Sequence, residues 1–163
     1  MARNGLAALA LALGLVAGCD QQRIAKLEEG VATEADVKRQ FGEPKAVFNE
    51  PNGARTFEYP RQPEGQTNYF ITIGADGKMT SLRQVLKPAE FAKVSTGLDK
   101  VEVRRLLGQP ARTQRFDLKP DEEHWEWRWL DGQQSKLFNV TFDRDGKVIA
   151  SASTDDLRDT TKN

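Results

Sequence analysis

Three spacings of apolar residues follow one another along this chain. From Gly5 to Val16 the residues are almost all Leu, Ala, Gly and Val, with no polar break. A run of this length is too short to cross a bilayer, which takes about 20 apolar residues. Preceded by Arg3 and followed by the small pair Ala17-Gly18, it reads as the apolar core of a secretion signal. Helical spacing comes next. Val37 and Phe41, and later Val103 and Leu107, stand four apart and share one helix face. Elsewhere apolar and polar residues alternate, as in Phe138, Val140 and Phe142 against Asn139 and Thr141, which is the period of a half-buried strand.

The helical segments belong to a repeat. Gly30-Val31-Ala32-Thr33-Glu34-Ala35-Asp36-Val37, closing on Phe41-Gly42-Glu43-Pro44, returns as Gly97-Leu98-Asp99-Lys100-Val101-Glu102-Val103 and Leu107-Gly108-Gln109-Pro110. The offset is 66 at both ends (99 − 33 and 110 − 44). Thr33 and Asp99 are N-cap residues, and Asp99 with Glu102 reads as a capping box. Gly42 and Gly108 suit a left-handed helix stop, and the Pro two residues on blocks resumption. A shorter apolar-periodic stretch precedes each, Ile24–Glu29 and Pro88–Val94, predicting a helix–turn–helix pair in each copy.

Strands follow each Pro. Ala46–Asn49, Arg55–Tyr59, Asn68–Ile73 and Met79–Val85 are predicted in the first copy, turned at Pro51-Asn52-Gly53 and Asp76-Gly77. In the second, Arg112–Phe116 leads through a loop to Glu123–Leu130, Lys136–Phe142 and Lys147–Ser153, turned at Asp131-Gly132 and Asp145-Gly146. Phe57-Glu58-Tyr59 matches Trp125-Glu126-Trp127, and Ile71-Thr72-Ile73 matches Val140-Thr141-Phe142. The predicted fold class is α+β: a tandem repeat of helix–turn–helix plus a four-stranded antiparallel sheet, helices on one sheet face and the other face open. The domain reading is a signal over 1–18, a tether over 19–23, repeats over 24–86 and 87–153, and a polar tail over 154–163. Units of this size have marginal cores. The two are therefore expected to pack together, with sheets side by side.

Cys19 is the only cysteine, and it follows Leu15-Val16-Ala17-Gly18 directly. Small residues before a lone Cys at the end of an apolar core resemble a lipobox, so Cys19 is expected to be lipidated and to become the first mature residue. Acyl chains contribute ~0.8 kcal/mol per buried CH₂, which makes two or three of them a stable anchor. With the thiol consumed, no disulfide can form, and packing of Phe, Trp and Tyr must hold the fold. Lys plus Arg equals Asp plus Glu at 24 each, and loss of Arg3 leaves the mature chain close to neutral. No basic stripe argues for nucleic acid binding.

Little here suggests catalysis. Cys19 is committed, His124 is the single histidine, and neither a phosphate-binding Gly loop nor a nucleophile elbow appears. No catalytic residue, no metal site and no cofactor beyond the covalent lipid is expected. Asp121-Glu122-Glu123 lacks the ligand spacing and the glycine of a calcium loop and reads as a solvated turn. Trp125, Trp127 and Trp129 share one strand face. Core packing suits the first two, while Trp129 corresponds to Arg61 and stands between core and partner contact. Phe70 lies opposite the core, either a partner contact or part of the seam between repeats. Trp129, Arg61 and Phe70 are thus the candidate partner contacts. Lys38, Arg39, Arg104 and Arg105 occupy the outer side of the motif helices, as a solvated face or a contact for anionic lipid or an acidic partner.

The doubled helix motif, the aromatic-x-aromatic strand and the Asp-Gly hairpins, on a lipoprotein, resemble the SmpA/OmlA (BamE-like) outer-membrane lipoprotein family over 24–86 and again over 87–153. Two units in tandem resemble the β-lactamase-inhibitor-protein-like fold. The resemblance implies a periplasmic, lipid-anchored, non-enzymatic module whose partners are the membrane and envelope proteins such as the β-barrel assembly machinery. The tandem form alternatively implies an inhibitor of a periplasmic enzyme, acting through a concave sheet face. The expected address is the outer membrane. Asp20, directly after Cys19, resembles an inner-membrane retention signal and leaves that membrane open.

Overall fold

The computed structural model describes residues 15–158. The signal expected over 1–18 is therefore largely outside the described residues, as are the side chain of Cys19 and the end of the tail. The first unit runs α1 (Leu15–Ile24), α2 (Glu34–Phe41), β1 (Ala46–Asn49), β2 (Arg55–Pro60), β3 (Asn68–Ile73) and β4 (Met79–Gln84). The second runs α3 (Pro88–Phe91), α4 (Lys100–Leu107), β5 (Arg112–Phe116), β6 (Lys119–Asp131), β7 (Gln134–Phe142) and β8 (Val148–Asp155). The chain is α+β: two separate four-stranded antiparallel meanders, ordered β1-β2-β3-β4 and β5-β6-β7-β8.

Local chemistry sets the motif helices. Both carry a full capping box. Thr33 Oγ1 accepts from Asp36 N–H at 3.2 Å while Asp36 accepts from Thr33 N–H at 3.0 Å. Asp99 and Glu102 repeat the exchange at 2.8 and 2.7 Å. The first box uses Asp where Glu is usual, and so shows only in the structure. Gly42 and Gly108 stop the helices at φ 82° and 75°, but with ψ near −165° rather than in the expected left-handed helical region. That conformation is essentially open to glycine alone.

The first sheet packs one face on α2. Phe57, Tyr59, Tyr69, Ile71 and Ile73 form a core with Val37 and Phe41. In the second unit Trp127, Trp129, Phe138, Val140 and Phe142 pack on Phe91, Val103 and Leu107. Several sequence expectations are corrected. The helical turn expected over Ile24–Glu29 lies earlier, in α1. The loop expected before Glu123 is strand, since β6 begins at Lys119. Asp121-Glu122-Glu123 therefore lies in a strand rather than a turn. The tail begins later than Thr154, because β8 runs to Asp155 and Asp156 is buried.

The largest correction concerns the sheets. They do not lie side by side, and the middle of the first sheet's outer face is closed rather than open. Glu58, Asn68 and Phe70, all on its side away from the first core, are buried against the second unit. Helix α4 thus lies between the outer side of the first sheet and the inner side of the second.

Candidate functional site

Two surfaces could carry function: the closed seam between the repeats, and the outer face of the second sheet, which corresponds to the first sheet's side of that seam.

The seam is closed by the chain's own second unit. Glu58 has no exposed surface and receives the Arg104 guanidinium at 2.9 and 3.3 Å, with a further hydrogen bond from Gln109 N–H. Asn68, equally buried, donates its amide to the carbonyls of Leu107 at 2.7 Å and Gln109 at 3.0 Å, which α4 leaves unsatisfied at its end. Gly108 brings this helix end close: a Cβ there would stand 3.0 Å from Asn68 Nδ2 and 3.2 Å from Glu58 Oε1. Phe70 fills the apolar part of the seam, edge-on to Phe48. Arg105 reaches over the Phe48 ring and donates to the carbonyl of Asn49. At the far end Gln62 mimics a strand, donating to Arg128 carbonyl at 2.9 Å and accepting Arg128 N–H at 3.0 Å.

These placements correct most of the candidate contacts. Phe70 is a seam residue. Trp129 is core, 4% exposed, edge-on to Phe91 at 5.0 Å. Arg61 is also engaged within the chain. Its guanidinium forks onto Asp20 at 2.8 and 2.9 Å and lies over the rings of Phe41 and Tyr69. The bond with Asp20 raises the pKa of Arg61, against the opposing effect of burial. Asp20 is thus 6% exposed and held on the body, so the solvated tether expected over 19–23 is not one at this position. Arg104 and Arg105 serve the seam rather than an outer face. Lys38 and Arg39 do lie on the outer side of α2, paired with Glu34 and Glu43, and with Asp36.

Among the described residues, no helix lies on the corresponding face of the second sheet. Glu126 stands opposite Asn139, as Glu58 stands opposite Phe70. Its carboxylate takes Arg112 at 2.9 and 3.2 Å, from the neighbouring strand instead of from a helix. Beside it opens a cavity of about 620 Å³ lined by Arg112, Glu126, Leu137, Asn139 and Thr154, and by the segment from Asp155 to Arg158. Sequence reading missed this site because its signal is the equivalence of Glu126 and Glu58. That equivalence means little until Glu58 is seen gripping a helix.

The remaining chemistry is internal. Burial raises the Glu123 pKa, but hydrogen bonds from Lys100, Trp125 Nε1 and Arg115 outweigh it and bring the value down to about 2. Asp156 is likewise brought down to about 2 by Arg158 and Arg128 against burial. His124 Nδ1 lies 3.1 Å from Thr141 Oγ1 and Nε2 lies 3.3 Å from Glu122. Among the described residues no group of three or more His, Cys, Asp or Glu is placed to hold a metal ion. No described helix is long and apolar enough to cross a membrane.

No family model matches the chain, and no curated protein matches it. Among solved structures the chain is similar to a DUF4309 family protein (YjgB) from Bacillus subtilis, at 18% identity with a TM-score of 0.31, covering 80% of this chain and 82% of that one.

Proposed function

We propose that this chain is a lipid-anchored, non-catalytic protein-binding module of the periplasm, of the SmpA/OmlA kind, supporting outer-membrane protein assembly or envelope integrity. One observation carries the binding part of this reading. The fold contains two equivalent sheet faces, one closed on a helix through Glu58, Asn68 and Phe70, the other with no helix on it among the described residues and carrying the Arg112–Glu126 pair with a cavity beside it. A face of this construction accepts polypeptide once within the molecule. The exposed copy is the natural place for a second polypeptide. The repeat motif and the Cys19 context support the family and the anchor. Neither a cofactor beyond the lipid nor nucleic acid enters this reading.

The test is affinity purification of the lipidated chain from gently solubilised envelopes, followed by mass spectrometry. Recovery of barrel-assembly proteins, lost on Glu126→Arg with Arg112→Glu on the exposed face, is the expected result. Stoichiometric recovery of one soluble periplasmic enzyme would favour an inhibitor instead. Full activity in cells after Cys19→Ala would remove the anchor from the proposal.

A further inference from the structure

The two sheets differ in how their last strands end. Both β4 and β8 are edge strands, paired on one side only. At their first residues both edges are covered alike. Met79 exchanges hydrogen bonds with Gly30 and Ala32, each 2.7 Å, and Val148 with Gly97 and Leu98 at 2.9 and 2.8 Å. Further on they diverge. In β4 the outward N–H of Leu82 is capped by Glu29 Oε1 at 3.2 Å, and Arg83 puts a charge on the strand. In the second unit the residue before Gly97 is Thr96, so the place of Glu29 has no carboxylate.

The direction of the β8 peptide groups follows from its ladder. Asp156 N–H donates to Ser135 carbonyl at 3.1 Å, in register with Lys136 opposite Asp155. Antiparallel pairs alternate between bonded and unbonded. Ala150, Ala152 and Thr154 therefore point their peptide groups at β7, and Ser151, Ser153 and Asp155 point theirs away. Among the described residues, nothing meets the outward groups of Ser151 and Ser153. The segment Ile149–Thr154 has no charge and no proline, the usual means of blocking an edge.

We infer that β8 pairs antiparallel with β8 of a second copy, centred on Ser153, joining the second sheets into one eight-stranded sheet. The edge is self-complementary in that register. Ser151 meets Asp155 of the partner copy, Ala152 meets Thr154, and no like charges face each other. Three outward residues in each copy then satisfy their peptide groups. The contact is far smaller than the roughly 1,000 Å² of a stable interface, so it is weak in dilute solution and strengthened wherever copies are concentrated. A shared membrane anchor would do that, a consequence of the proposed lipidation on which the pairing itself does not depend.

The test is Ser153→Cys in the full chain, oxidised on phosphatidylethanolamine–phosphatidylglycerol vesicles and, separately, in concentrated solution without lipid. Residues at the axis lie about 5.5 Å apart between Cα atoms, within disulfide reach. Thr80→Cys, exposed on β4, and the unsubstituted chain with Cys19 alone are the references. Ser153→Cys is expected to give about tenfold more covalent dimer than either reference where copies are concentrated. Adding Ala152→Lys should return the yield to the reference level. Ser151→Pro should do the same, since it removes an outward donor and leaves the bonds to β7 intact. Equal yields at 153 and 80, or a dimer that survives both added substitutions, would each overturn the inference. Dimer in solution but not on vesicles would keep the pairing and reject the anchor.

Discussion

Glu58 is a carboxylate with no exposed surface, and what surrounds it determines what its loss would cost. It accepts from Arg104 and Gln109 N–H across the seam. Removing the guanidinium by Arg104→Ala leaves a buried charge with one backbone donor, and breaking such pairs is expensive. Arg104 is itself one-third exposed, so water recovers part of the loss. Arg104→Ala is expected to lower unfolding stability by about 2–3 kcal/mol. Arg112→Ala, which unpairs the equivalent Glu126 from an arginine that is itself 60% exposed, should lower it by less than about 1 kcal/mol. Urea unfolding of the two variants tests the contrast, and equal costs would mean that the seam pair is no better protected than the surface pair. Residue scale is also where sequence reading was weakest. Trp129 and Arg61 occupy matching positions, yet one is core and the other an ion-pair partner. Phe91 covers Trp129, while Asp20 draws in Arg61. Both partners come from outside the strand, and strand alternation cannot report them.

At the scale of elements, the repeated helix is the part most legible in sequence, because its caps are made by residues three apart. The start of β6 is hidden in the sequence for a related reason. Asp121, Glu122 and Glu123 after Pro120 look like a solvated turn, but Lys100 and Arg115 pair with Glu123 and Lys119 pairs with Glu122. Those partners come from α4, β5 and β6 itself, and only the fold gathers them. The two helix ends allow a paired experiment. Gly42 and Gly108 have the same backbone conformation, so Ala should be equally strained at both. A Cβ at Gly42 meets nothing within 4 Å, while at Gly108 it presses on Asn68 and Glu58. Gly108→Ala should therefore cost more than Gly42→Ala by at least about 1 kcal/mol, the worth of one disturbed hydrogen bond to a buried group. Thermal unfolding of the two variants reads the difference directly. Equal losses would place the whole effect in the glycine conformation and none in the seam.

For the whole molecule, acid is the first probe. The Glu123 and Asp156 carboxyls sit at about 2 in the folded chain, below their ordinary 4.5 and 3.8. A carboxylate depressed in this way contributes stability that is fully present above its unfolded value and lost as pH falls toward the folded one. The unfolding temperature should hold from neutral pH to about 5 and fall between about 4.5 and 2. Glu123→Gln should be less stable than the parent chain at pH 7, and the gap should close near pH 2. A gap independent of pH would mean the carboxylate's charge is not what stabilises. Whether the repeats unfold as one body is a separate matter, and Phe70 decides it. Phe70 belongs to the first sheet by chain position but to the second core by packing, among Val85, Leu86, Leu107 and Trp127. If the seam is continuous core, Phe70→Ala should cost about 3–5 kcal/mol and unfolding should remain a single transition. Amides of β7, in the other repeat, should then lose hydrogen-exchange protection as much as those of β3. If the repeats are independent bodies in contact, unfolding should split into two transitions and β7 should keep its protection. The side chain sits where only one of these outcomes is expected: it is 1% exposed, and its neighbours are the second core.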